Sequence, residues 1–124
     1  MNPIDKAILC LKIIQERKAI DPVLFDVREH TSITDYFIVT SGSSSRQVQT
    51  IAKHIVRRMR EEGFKVYGME GEQQGHWVLI DYNDVVIHVF YQPVREFYDL
   101  EGLWVEAPRV ELEPSSREGE SARE

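Results

Sequence analysis

Trp77-Val-Leu-Ile-Asp-Tyr-Asn-Asp-Val-Val-Ile-His-Val-Phe-Tyr91 decides the fold. Two runs rich in β-branched and aromatic residues flank Asn83-Asp84, and both turn residues tolerate the positive φ that a two-residue hairpin turn demands. The stretch predicts a β-hairpin. Trp77, Leu79 and Asp81 point one way and Val78, Ile80 and Tyr82 the other; on the return strand Val85, Ile87, Val89 and Tyr91 alternate with Val86, His88 and Phe90. Both faces are largely apolar. A hairpin wet on one side carries polar residues at every second position, so this one belongs inside a sheet covered by helices, or by a helix layer and a partner.

Before the hairpin, Val23–Val27 and Tyr36–Thr40 read as strands joined by the polar connection 28–34. Ser41-Gly-Ser-Ser-Ser45 then leads into a long helix, with Ser44 and Gln47 spaced as a capping box and Gly63 at its end. Val48, Ile51, Ala52, Ile55 and Met59 form its buried stripe. Lys65–Gly68 reads as a short strand. At the start of the chain Asn2-Pro3 caps a helix whose apolar face is Ile4, Ala7, Ile8, Leu11 and Ile14. After the hairpin, Pro93 opens a third helix, Val94–Glu101, closed by Gly102. The expected class is α/β (α+β), a mixed central sheet of about five strands with helices packed on it. Residues 1–106 form the domain; 107–124, poor in apolar bulk, are expected to be a disordered acidic tail.

At 124 residues the chain fits a single domain, and 42% hydrophobic with 29% charged residues is ordinary for a soluble globular protein. No apolar run approaches the roughly 20 residues that span a bilayer, so no membrane partner is expected. The opening Met1-Asn-Pro-Ile-Asp5 lacks the pattern of a signal peptide, and the lone Cys10 has no partner within the chain, which points to a reducing cytoplasm. Cys10 reads as core filler. The net charge of −6 argues against wholesale coating of nucleic acid.

A strand, a Gly-Ser turn, a helix and acidic residues on a later strand is also the layout of nucleotidyltransferases, so a nucleotide-binding enzyme of that fold is the alternative. Their two metal ions sit on carboxylates projecting from one strand face, usually one residue apart. Asp81 and Asp84 are separated by the hairpin turn and fail that test. His54, His76 and His88 share no metal-ligand spacing, and no nucleophile elbow or Walker spacing occurs. No catalytic residue, metal or cofactor is expected.

Four blocks remain: Asp35-Tyr-Phe-Ile-Val-Thr-Ser-Gly-Ser-Ser-Ser-Arg46, Glu70-Gly71, Trp77 through Phe90, and Arg95-Glu-Phe-Tyr-Asp-Leu-Glu-Gly-Leu-Trp104. In this order they resemble the ribosomal silencing factor, or Iojap-like, family, over about Ile4 to Glu106. The resemblance implies a nucleotidyltransferase-like fold without the catalytic carboxylates. It also implies binding to the fourteenth protein of the large ribosomal subunit on the intersubunit face. That would sterically block small-subunit joining when nutrients are short. Asn83 stands where many members have glycine, and Gln47 replaces a common histidine.

On the residues, the apolar surplus Trp77, Tyr98, Leu100 and Trp104 is the candidate partner patch, with Arg95 and Asp99 at its polar rim. The plainer reading makes Trp104 and Leu103 caps of the sheet. A homodimer of the free protein is a further expectation, with its interface left open. On the long helix Arg46, Lys53, Arg57 and Arg60 form a basic flank; it is either a solvated face or a contact for ribosomal RNA.

Overall fold

The hairpin forms as read. In the computed structural model, which describes residues 1–111, the chain runs α1 (Pro3–Gln15), β1 (Ile20–Asp26), β2 (Tyr36–Gly42), α2 (Ser45–Glu61), β3 (Gly68–Glu70), β4 (Trp77–Asp81), β5 (Val85–Tyr91), α3 (Gln92–Tyr98), a 3₁₀ segment (Leu100–Trp104) and β6 (Arg109–Val110). Strands β4 and β5 pair antiparallel with Trp77 opposite Phe90 and Asp81 opposite Val86. Tyr82 N–H donates to the Val85 carbonyl at 2.9 Å to close the turn. Asn83 alone of the two turn residues takes a positive φ, 74°, which explains why glycine suits that position in the family the chain resembles.

One mixed sheet of six strands, in the order β3-β4-β5-β2-β1-β6, carries the hairpin near its centre. Only β2 and β5 run parallel; the crossover between them contains α2. Helices α1 and α2 lie on one face, where Ala7, Cys10, Leu11, Ile14, Val48, Ile51, Ala52, Ile55 and Met59 pack on Leu24, Ile38, Val78, Ile80, Tyr82, Val85, Ile87 and Val89. The opposite face holds a smaller core of Val23, Phe25, Val27, Phe37, Val39, Phe90 and Ala107, with Trp77, Val94, Leu100 and Trp104 packed against it. Cys10 is core, as read: burial pushes its thiol up to about 12, and its nearest polar partner is Met59 Sδ at 3.8 Å.

Three expectations shift. The folded unit continues past 106, because Arg109 and Val110 pair with Phe25 and Leu24 and Ala107 is buried. Asp26 N–H donates to the Pro108 carbonyl at 2.9 Å. This short strand finishes the open edge of β1, which a segment of such mixed composition does not advertise. The rest of the expected tail lies outside the described residues. The strand expected at 65–68 instead occupies Gly68–Glu70. The third helix stops at Tyr98, three residues before the expected Glu101, because Asp99 takes a left-handed conformation (φ 46°) and its N–H bonds the Arg95 carbonyl at 2.9 Å.

At α2 the N-cap is Ser44, whose Oγ accepts from Gln47 N–H at 3.0 Å, while the Gln47 side chain turns back to the Ser43 N–H and hydroxyl. Those amides are thereby occupied by the helix's own side chains, which leaves less of a phosphate cradle than glycine and serine before a helix suggest. Gly71 sits at φ 84° beside the Trp77 carbonyl oxygen, with which an added Cβ would collide. Gly71→Ala should therefore cost about 2 kcal/mol or more by denaturant unfolding. Gly68→Ala, whose Cβ would meet open space at an ordinary φ, should stay within about 0.5 kcal/mol.

Candidate functional site

Burial along β4 and β5 marks where the sheet is unfinished. On the helix side Val78, Ile80, Val85 and Ile87 are fully buried, whereas on the other side Trp77, Leu79 and Val86 are only partly buried. The α3 and 3₁₀ segments cover only part of this second face. They also bring their own apolar side chains to solvent: Phe97 is 81% exposed, Tyr98 56%, Leu103 69% and Val105 81%. Contiguous exposed apolar area of this kind marks an interaction surface.

Aromatic rings link the covered and uncovered parts. Tyr98 lies 5.2 Å from Trp77 between ring centroids and packs edge-on against Phe97; Trp77 in turn packs on Phe90 at 4.9 Å. Trp77 Nε1–H donates to His88 Nδ1 at 2.9 Å. His88 is buried under these rings and touches Phe37 at 4.6 Å, and burial alone pulls its pKa down to about 4. The neutral ring is therefore the one that accepts the Trp77 proton.

The predicted residues divide. Tyr98 is exposed and packs on Trp77, while Trp77 and Leu100 are partly buried against the smaller core; Asp99 is exposed as the helix cap. Trp104 is half-buried and serves mainly as cover, its ring 5.3 Å from Phe37 and its Nε1 buried with no hydrogen-bond partner among the described residues. Arg95 is not at a rim. It is 5% exposed, and its guanidinium donates to both Glu101 carboxylate oxygens, to Ser41 Oγ and to the Ile20 and Asp21 carbonyls at 2.9 to 3.1 Å. It clamps α3 and the 3₁₀ segment onto β1 and β2. Leu79, Val86, Phe97 and Val105 lie outside the patch expected from the sequence, and Leu103, read there as a cap of the sheet, is exposed instead. Period-2 alternation places Leu79 and Val86 on the Trp77 face, but nothing local tells that the cover ends short of them.

The carboxylates weighed for metal chemistry are spent locally. Asp81 Oδ1 accepts from Asn83 N–H at 2.7 Å, and Asp84 pairs with Lys6 at 2.8 Å, where the ammonium also reaches the Tyr82 carbonyl. On the other side of the molecule Lys53, Arg57 and Arg60 line one open groove over α2, joined by Arg17 from the end of α1; Arg46 is exposed but does not line it.

Residues 1–124 match the model of a family described as "Ribosomal silencing factor during starvation". The chain belongs to the ribosomal silencing factor family. A ribosomal silencing factor of Halalkalibacterium halodurans is 40% identical over 105 residues, covering 85% of this chain and 90% of its own length. A mouse protein named "Mitochondrial assembly of ribosomal large subunit protein 1" is 26% identical over 99 residues, 77% of this chain and 43% of its own. A crystal structure of a protein from Chromobacterium violaceum superimposes with a TM-score of 0.82 at 36% identity, over 84% of this chain and 87% of that one. Within this chain the four sequence blocks fall on β2 with the start of α2, on the turn at Gly71, on the hairpin, and on α3 with the 3₁₀ segment.

Two measurements test the site's construction. Arg95→Ala strands the Glu101 carboxylate and several carbonyls, so it should cost about 3 kcal/mol or more in chemical unfolding, and Arg95→Lys should not restore it because an ammonium cannot reproduce the fork. His88 has a folded-state pKa below its unfolded one, so the unfolded chain binds the extra proton. Stability should fall as pH drops from about 6.5 to about 4, by on the order of 3 kcal/mol from this residue. Melting curves of the parent and His88→Gln across that window should diverge, the variant showing the flatter dependence.

Proposed function

We propose that this silencing factor docks its unfinished sheet face on the fourteenth protein of the large ribosomal subunit and, by occupying that position, prevents the small subunit from joining. The observation that carries the proposal is the apolar apron of Phe97, Tyr98 and Leu103, open to solvent and tied to the smaller core through Tyr98, which packs on the partly buried Trp77. Family membership supports the ribosome as the place of action, and the mouse relative's name points to the large subunit. The proposed mode is steric and cytoplasmic, with no reaction and no cofactor. A factor at a hundred times its dissociation constant leaves only about 1% of sites free, so occupancy suffices. Tyrosine and tryptophan supply most interface hot spots, and Tyr98, unlike the partly buried Trp77, can be removed without opening the core.

Sucrose-gradient sedimentation with separated subunits tests this. The protein should travel with the large subunit and reduce formation of the joined ribosome. Tyr98→Ala should weaken large-subunit binding about thirtyfold, roughly 2 kcal/mol, at an unchanged melting temperature. Absence of co-migration, or a folded Tyr98→Ala that binds like the parent, would contradict the reading.

A further inference from the structure

Charge in this chain is segregated. The whole sequence carries a net −6, yet α2 holds five cations, Arg46, Lys53, Arg57, Arg58 and Arg60, against the single carboxylate Glu61. Arg58 turns away from the helix crest to Glu16, at 3.2 Å, and to Glu61 and Glu62. Those contacts hold the end of α1 against α2 and bring Arg17 to the same groove as Lys53, Arg57 and Arg60. The groove has a volume of about 500 Å³, a floor of Val56 and Met69, and no carboxylate among its lining residues. Among the described residues Arg17, Lys53 and Arg60 make no ion pair, and Arg57 makes only an exposed one, with Glu61 at 3.1 Å. Exposed pairs of that kind exchange readily for another anion.

His54 sets the direction of Arg57. Its Nε2–H donates to Glu16 Oε1 at 2.8 Å, which leaves Nδ1 to accept from Arg57 Nη2 at 3.1 Å. A half-fixed guanidinium, a second arginine from the turn after α1 and a lysine about one turn away form a row of donors, not a scatter of solvated charges. Positions 53, 57 and 60 succeed one another along one side of the helix at roughly 5 to 6 Å, short enough to meet adjacent phosphates of a strand. The groove lies over the helix layer, on the opposite side of the sheet from the apolar apron, so a protein and a polyanion can be held at once.

We propose that this groove binds the sugar–phosphate backbone of an RNA strand through Arg17, Lys53, Arg57 and Arg60, without reading its bases. Charge complementarity selects a polyphosphate chain. The choice of RNA rests on the ribosomal reading above, since a ribosome's exposed surface away from its proteins is RNA. The contact is separable from protein docking and persists in the free protein.

Fluorescence anisotropy of a labelled single-stranded RNA of about 12 nucleotides, titrated with the full chain at several salt concentrations, tests it. The dissociation constant should rise with salt with a logarithmic slope of about 2 to 3, the value for three or four phosphates on a single strand. Lys53→Glu and Arg60→Glu, both at exposed positions, should each weaken binding about tenfold and flatten the slope. Lys12→Glu, the same charge change outside the groove, should cost much less. Tyr98→Ala should bind the RNA like the parent whether or not it has lost the large subunit, which separates failure of this site from failure of the docking face. Three outcomes would overturn the proposal: no RNA binding at low salt, equal losses from Lys12→Glu and Lys53→Glu, or capture on anionic lipid vesicles in place of RNA.

Discussion

One guanidinium holds the candidate docking side of this molecule together. Arg95 is buried and makes a two-pronged pair with Glu101 while binding Ser41 and the carbonyls of Ile20 and Asp21. Those partners come from the 3₁₀ segment, β2 and β1, so the clamp fixes a short helix that has too few turns to be stable alone. The position of Tyr98 against Trp77, and with it the shape of the apron, follows. A lysine supplies one point of charge where five directed donors are needed.

The central sheet explains why such a clamp is required. Its hairpin is apolar on both faces, and two full helices finish only one of them. The second face receives a seven-residue helix and a 3₁₀ segment, whose own Phe97 and Leu103 end in solvent. A fold that needed only stability would close this face or make it polar. Leaving it apolar is consistent with a protein whose work is done by contact. The acidic residues at the turn fit the same picture, since Asp81 and Asp84 close and tether the hairpin.

Much of this was legible in the chain. Two β-branched and aromatic runs around Asn83-Asp84 announced the hairpin and its two apolar faces, Asn2-Pro3 and Ser44 marked helix starts, and Gly63 marked a helix end. What stayed hidden depends on distant partners. Arg95 looked like a rim residue because its acceptors are mostly backbone carbonyls and a hydroxyl on strands far back in the sequence. Asp99 ended α3 early through a left-handed cap that an aspartate tolerates but does not demand. The strand at Arg109–Val110 has no pattern to read; its existence is set by the open edge of β1. Arg17 reached the basic groove by way of the Glu16–Arg58 contact, a helix–helix geometry no spacing on α2 encodes.

Amide hydrogen exchange of the chain, alone and with saturating purified large subunits, tests the central claim most directly. Exchange should slow in peptides covering 77–81 and 92–107, the unfinished face and its partial cover. Unchanged exchange there, with slowing confined to the edge around 64–72, would contradict the docking face described above.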